Sequence, residues 1–257
     1  MASQQLPASQ LTILHYLYRF RFLTSRQISK LLSHKNIRLT NYHLQILTTH
    51  NYIGKHYTRS LGQANQPAVY YLASGSIKIL EGRDGIDKRA LKRVYREKMR
   101  SQQFIARSSF IAEYYLHLIT DSQKSAHTLH FFTKTDLLAH PYLLHPLPDA
   151  YFARVDKKNE TKRYFVELID DASPRFALRR RIEQYNDYLE DGKFEEKTGH
   201  PFPTILFICP GFASLIYLKK HLGRIYDETS LDETEVYLAT HEQAFAGNWE
   251  KVDSDDE

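Results

Sequence analysis

The chain has 257 residues and is 42% hydrophobic, enough to bury a real core or two small ones. Its single cysteine, Cys209, excludes an internal disulfide and a thiolate zinc site, and such usage suits a reducing cytosol. Charge is unevenly spread: residues 1–120 carry 18 Lys and Arg against 5 Asp and Glu, and residues 121–257 carry 17 against 25, so the first half favours a polyanionic partner.

No apolar run reaches the length of a membrane span, and the N-terminus lacks the charged-then-apolar order of a signal peptide. A soluble, cytoplasmic protein with no membrane partner is expected. Along residues 9–20, Leu11, Leu14, Leu17 and Tyr18 recur at helical spacing. "LTSRQISKLL" starts a second helix, with Thr24 or Ser25 as N-cap and Ile28, Leu31 and Leu32 facing inward. After the turn "SHKN", "RLTNYHLQILTTHNY" predicts a third helix anchored by Leu44, Ile46 and Leu47. "YIGKHYTRS" and "PAVYYL" then read as two strands around a polar loop. Three short helices followed by a β-hairpin is the order of a winged helix-turn-helix, expected over residues 8–82.

In such a domain the third helix enters the major groove. There Arg38, Thr40, Asn41, His43 and Gln45 are the polar residues suited to base edges. Lys30 and Lys35 are placed to hold flanking phosphates, as are Lys55, His56 and Arg59 on the wing, with Gln63 to Gln66 at its tip. The bland reading, solvated faces on a domain that mediates protein contacts, competes with DNA binding, and the basic balance of this half favours DNA.

Residues 83–119 read as a basic connector helix. Arg89, Lys92, Arg93, Arg96 and Arg100 recur every three or four residues as one stripe, which either extends the DNA footprint or is a solvated face with Glu97 as its counter-charge.

The rest alternates. "HTLHFF", "AYFARV", "RYFVELI", "TILFICPG" and "EVYLAT" predict strands, and "ASPRFALRRRIEQYNDYLED" and "SLIYLKKHLGRIY" predict helices. A mixed sheet flanked by helices is expected over 120–247, followed by an acidic tail at 248–257. His140 and His145 lie in a proline-flanked loop and read as ordinary loop histidines; Cys209 reads as a buried structural thiol. No Gly-rich phosphate loop is present, which argues against nucleotide hydrolysis.

One stretch, "PLPDAYFARVDKKNETKRYFVELIDD", sets Pro148–Asp149 before one strand and Glu167 within the next, and "QYNDY" follows on a helix. This order resembles the PD-(D/E)xK nuclease superfamily and its QxxxY branches. The resemblance implies a restriction-endonuclease-like fold. It also implies Mg²⁺ held by Asp149 and Glu167, with Asp170 as a supplementary ligand and Gln184 as a further catalytic residue. Carboxylates on adjacent strands would give the hard-oxygen site that Mg²⁺ requires. Where that superfamily has its lysine, two residues after the Glu, this chain has Ile169.

Taken together, a winged helix, a basic connector and "PDA…YFVELIDDAS…RRIEQYNDY" resemble the replication-relaxation family. The resemblance implies a DNA-binding accessory protein of plasmid or mobile-element replication or conjugative transfer. Double-stranded DNA is then the expected partner, with replication or transfer proteins and a second copy of the chain, as a homodimer, as further candidates. Mg²⁺ is the one cofactor indicated. Two other readings stay open: a Mg²⁺-dependent DNA endonuclease or nickase using Asp149 and Glu167, and a winged-helix transcriptional repressor.

Overall fold

The computed structural model describes residues 6–57, 67–170, 173–226 and 229–253. Arg59, Gln63 to Gln66 and Asp171 lie outside the described residues. The chain divides into two compact units, Met1–Leu116 and His117–Glu257.

In the first unit, α1 (Ala8–Phe20) buries Ile13, Leu14, Leu17 and Tyr18 along one stripe. Next come β1 (Leu23–Thr24) and α2 (Ser25–Leu31). A capping box starts α2: Gln27 N–H donates to Thr24 Oγ1 at 3.2 Å, and Thr24 N–H donates to Gln27 Oε1 at 2.9 Å. Two orphan amides are thereby satisfied, a device worth about 1 kcal/mol. Asn36 caps α3 (Ile37–Thr49), accepting from Arg38 N–H at 2.9 Å.

Strands β2 (Ile53–His56) and β3 (Val69–Leu72) pair antiparallel, with Ile53 opposite Leu72. The short β1 joins the other edge of β3, giving the order β1-β3-β2. Sequence reading missed β1 because two residues carry no periodic signal. A 3-10 turn at Ser74–Ser76 then leads into α4 (Ile77–Leu80).

The expected continuous connector helix is broken into three pieces: α5 (Lys88–Leu91), a 3-10 segment Val94–Met99 and α6 (Gln102–Ser125). The physical reason is the spacing of what is buried. Leu91, Val94 and Glu97 face inward every three residues, the 3-10 period rather than the α period. Glu97 is no surface counter-charge. It is buried, it pairs with Arg21, and Arg100 Nε lies 3.9 Å away.

The second unit holds a six-stranded mixed sheet flanked by helices. Its strands are β4 (Thr128–Thr133), β5 (Ala150–Val155), β6 (Thr161–Leu168), β7 (Thr204–Cys209), β8 (Val236–Thr240) and β9 (Glu250–Lys251), in that spatial order. The first three run antiparallel, β6-β7-β8 run parallel, and β9 is antiparallel to β8. Its helices are α7 (Arg175–Glu190), α8 (Lys193–Thr198), α9 (Phe212–Ile225) and α10 (His241–Ala246).

Register explains much of the packing on this sheet. Phe131, Phe152 and Tyr164 are direct cross-strand neighbours, with ring centroids 6.3 and 4.6 Å apart, so one face carries an aromatic ladder. Phe165, Phe207, Ile205 and Leu238 turn to the face that packs with Tyr185, Leu215 and Leu218. The tail expected over 248–257 is corrected at its start, and residues 254–257 lie outside the described residues. Glu250 and Lys251 pair with β8, and Val252 is buried in this core. Among the described residues no helix is long and apolar enough to cross a membrane.

Candidate functional site

Asp149 stands immediately before β5, and Glu167 lies near the end of β6. The Ala150–Val166 pairing and the Asp149 N–H bond to the Val166 carbonyl, at 3.0 Å, set the two carboxylates side by side. Both are nearly inaccessible, at 4% and 6% exposure. Buried carboxylates need partners, and both have them.

Asp149 Oδ2 accepts from Leu168 N–H at 2.8 Å, and Lys134 Nζ lies 3.7 Å from Asp149 Oδ1. Glu167 Oε2 accepts from Arg181 Nη2 at 2.7 Å and from the Tyr185 hydroxyl at 2.9 Å. The Arg181 guanidinium also sits 4.7 Å above the Tyr185 ring and donates through Nη1 to Gln184 Oε1 at 3.1 Å. Burial pulls the Arg181 pKa down, but Glu167, with Tyr185 and Asp149 behind it, outweighs burial and holds it above its ordinary value. Burial first, then the Glu167 charge, pushes the Tyr185 phenol well up. Arg181 therefore stays charged and Tyr185 protonated across physiological pH.

This arrangement departs from the sequence expectation in three ways. Gln184 reaches Arg181, not the carboxylates. Tyr188, the last residue of the QxxxY pattern, is buried with its hydroxyl unpartnered among the described residues, whereas Tyr185 meets Glu167. Asp170 joins no metal set: among the described residues no three His, Cys, Asp or Glu are grouped to hold a metal ion. Ile169, at the lysine position, is part of the core. The basic groups come from elsewhere, Lys134 after β4 and Arg181 on α7. Arg181 and Tyr185 are four residues apart on a helix, a spacing that was visible in the sequence. Nothing local marked Lys134.

The donor set does not fit a hydrated divalent cation. Mg²⁺ asks for several free oxygens in near-octahedral array. Here one oxygen of Glu167 is held by two donors and one of Asp149 by a backbone amide. The buried Arg181 and the half-exposed Lys134 already offset charge on the pair.

In the first unit, Arg38, Asn41 and Gln45 are exposed on α3, and their side chains have no partner among the described residues. Their three- and four-residue spacings put them on one face with Tyr42, which is 60% exposed. Leu39 is exposed on the same helix. Tyr42 and Leu39 were missed because apolar residues read as core.

Thr40 corrects the sequence reading: it is wholly buried and shares a 2.9 Å hydrogen bond with His34 Nδ1. His43 is half-buried, and burial and then His34 lower its pKa. His56 turns inward, donating from Nε2 to the Glu97 carbonyl at 3.2 Å with its ring 4.7 Å from that of Tyr71. Lys30 is exposed but paired with Glu113 at 2.9 Å. Lys35, Lys55, Arg89, Lys92, Arg93 and Arg96 are exposed; Lys55 lies over the Tyr57 ring and Arg96 over that of Tyr95. The sequence pattern of the replication-relaxation family matches residues 14–205. No curated protein matches the chain.

Proposed function

The chain belongs to the replication-relaxation family, and from that premise we propose a DNA-binding accessory protein of plasmid or mobile-element replication or conjugative transfer, acting in the cytoplasm. In this reading the first unit is a winged helix that lays α3 in the major groove. The observation that carries it is the exposed face of Arg38, Asn41, Tyr42 and Gln45, on which the Arg38, Asn41 and Gln45 side chains have no partner among the described residues. Arginine and the amide side chains suit guanine and adenine edges, and apolar atoms suit the thymine methyl. Exposed Lys35 and Lys55 supply phosphate contacts, which position without specifying.

The second unit, in the same reading, is a nuclease-like scaffold that docks DNA or a partner rather than cutting. The Arg181–Glu167 clasp supports this, because it places a fixed guanidinium against a carboxylate that cleavage would need for metal. One observation favours the competing reading of a Mg²⁺-dependent endonuclease: Lys134 brings an ammonium to 3.7 Å from Asp149.

The test of duplex reading is a gel shift with the full chain and genomic fragments of its host element. Arg38→Glu combined with Asn41→Ala should abolish the specific shift, and the wild-type affinity should fall steeply with salt. Retention of full affinity by that double variant would sink the assignment of α3.

A further inference from the structure

We propose that an open groove along α7 is a binding site for single-stranded DNA, with Arg180 holding phosphate and Phe176 stacking a base. The groove has a volume of about 660 Å³ and is lined by His145, Pro146, Phe176, Arg180, Arg181 and Gln184. It lies wholly within the second unit, and Arg181, which binds Glu167, is one of its lining residues.

The arginines of α7 divide by what they touch. Arg175 lies over the Tyr217 ring of α9, 4.8 Å from its centroid. Arg179 faces His221 of the same helix, whose pKa it helps to lower after burial. Arg181 turns inward to Glu167. Arg175, Arg179 and Arg180 are all exposed; of these three, Arg180 is the one that lines the groove, and it has no ion pair, hydrogen bond or cation–π contact among the described residues. One helical turn before it, Phe176 is 65% exposed and makes no ring contact among the described residues. Residues four apart share a helix face, so a free guanidinium and a free ring line one groove together.

A phosphate-binding cation beside an uncovered aromatic ring is the recognition unit for single strands. Duplex bases are already stacked and offer no face to such a ring. DNA is the strand that fits the replication context of the family. The site deepens the docking role proposed above for the second unit, and it is independent of α3.

The experiment is fluorescence anisotropy of the full chain with a labelled oligo-dT of about 15 nucleotides, the upper size range of compact single-strand sites. Phe176→Ala should weaken binding by about 5- to 150-fold, the usual range for one lost base–aromatic stack. Arg180→Glu should weaken it at least as much, and Phe176→Tyr should restore near-wild-type affinity. Both residues are exposed, so thermal melts of the variants should match wild type.

Unchanged dT affinity in Phe176→Ala and Arg180→Glu would overturn the proposal. So would equally effective competition by a polyglutamate peptide, which would reveal a protein-docking patch. Duplex binding, read in parallel with the Arg38→Glu variant, stands or falls separately: loss of dT binding in Phe176→Ala holds even if α3 is idle.

Discussion

Arg181 of α7 donates to Glu167 of β6 across 2.7 Å, with both side chains about nine-tenths buried. Removing one member of such a pair leaves a charge without water or counter-charge. Arg181→Ala should therefore cost about 3–5 kcal/mol, whereas replacing both residues with apolar groups of similar volume should cost far less. Urea denaturation of the two single variants and the double variant measures the coupling. A loss below about 1 kcal/mol in Arg181→Ala would show the pair to be energetically idle.

Because these carboxylates are already satisfied, millimolar MgCl₂ or MnCl₂ should leave the melting temperature unchanged, since only a ligand that binds the native state raises it. Supercoiled plasmid incubated with protein and either metal should stay intact. Nicking that Asp149→Ala removes would reverse the preference for docking over cleavage.

Gly75 is held against the end of α3. A Cβ there would lie 2.4 Å from the Asn51 carbonyl oxygen, and a backbone atom cannot swing aside. Gly75→Ala should destabilise the first unit by about 1–3 kcal/mol, the usual cost of overpacking. Circular-dichroism melts will read it, with Gly82→Ala a poor comparison because Gly82 has positive φ.

Acid should weaken the fold through two histidines. Burial and His34 lower the pKa of His43; burial, then Arg179 and Arg224, lower that of His221. In the unfolded chain both would protonate near the ordinary value of about 6.5. Above that pH both states are neutral and nothing is lost. Below it the unfolded state takes up protons first, so stability falls until the folded pKa is passed. His43→Gln and His221→Gln should each flatten the drop in melting temperature between neutral pH and mild acid. An unaltered slope in the double variant would contradict this.

Cys209 is fully buried on β7, and burial pushes its thiol pKa up to about 12. An aromatic disulfide reagent at mildly alkaline pH should not react with the native protein and should titrate one thiol after guanidinium is added. Rapid native reaction would mean that β7 opens readily.

The order of elements was legible because long periodic segments announce themselves. "TILFIC" and "RYFVELI" became β7 and β6, and Pro174 marked the start of α7. The opposed carboxylates were legible too, through the Pro-Asp pair and its spacing to Glu167. Sequence could not say which helical residue would reach them. Tyr185 and Tyr188 both follow Arg181 closely, and only the packing of α7 on β6 selects Tyr185. Glu97 misled for a similar reason: a carboxylate among basic residues reads as solvated, and the inward turn depends on Arg21, 76 residues away in sequence. Thr40 likewise reads as a surface polar residue, and its burial depends on a bond to His34 that the helical pattern does not encode.

The short β9 strand has a practical corollary for handling the protein. It shields part of the outer rim of β8, and Val252 plugs the space beneath it. Clipping the chain before Glu250 would bare unpaired amides and an apolar socket together, inviting self-association. Affinity handles fused at the carboxyl end should therefore be spaced from Val252 by a flexible insert.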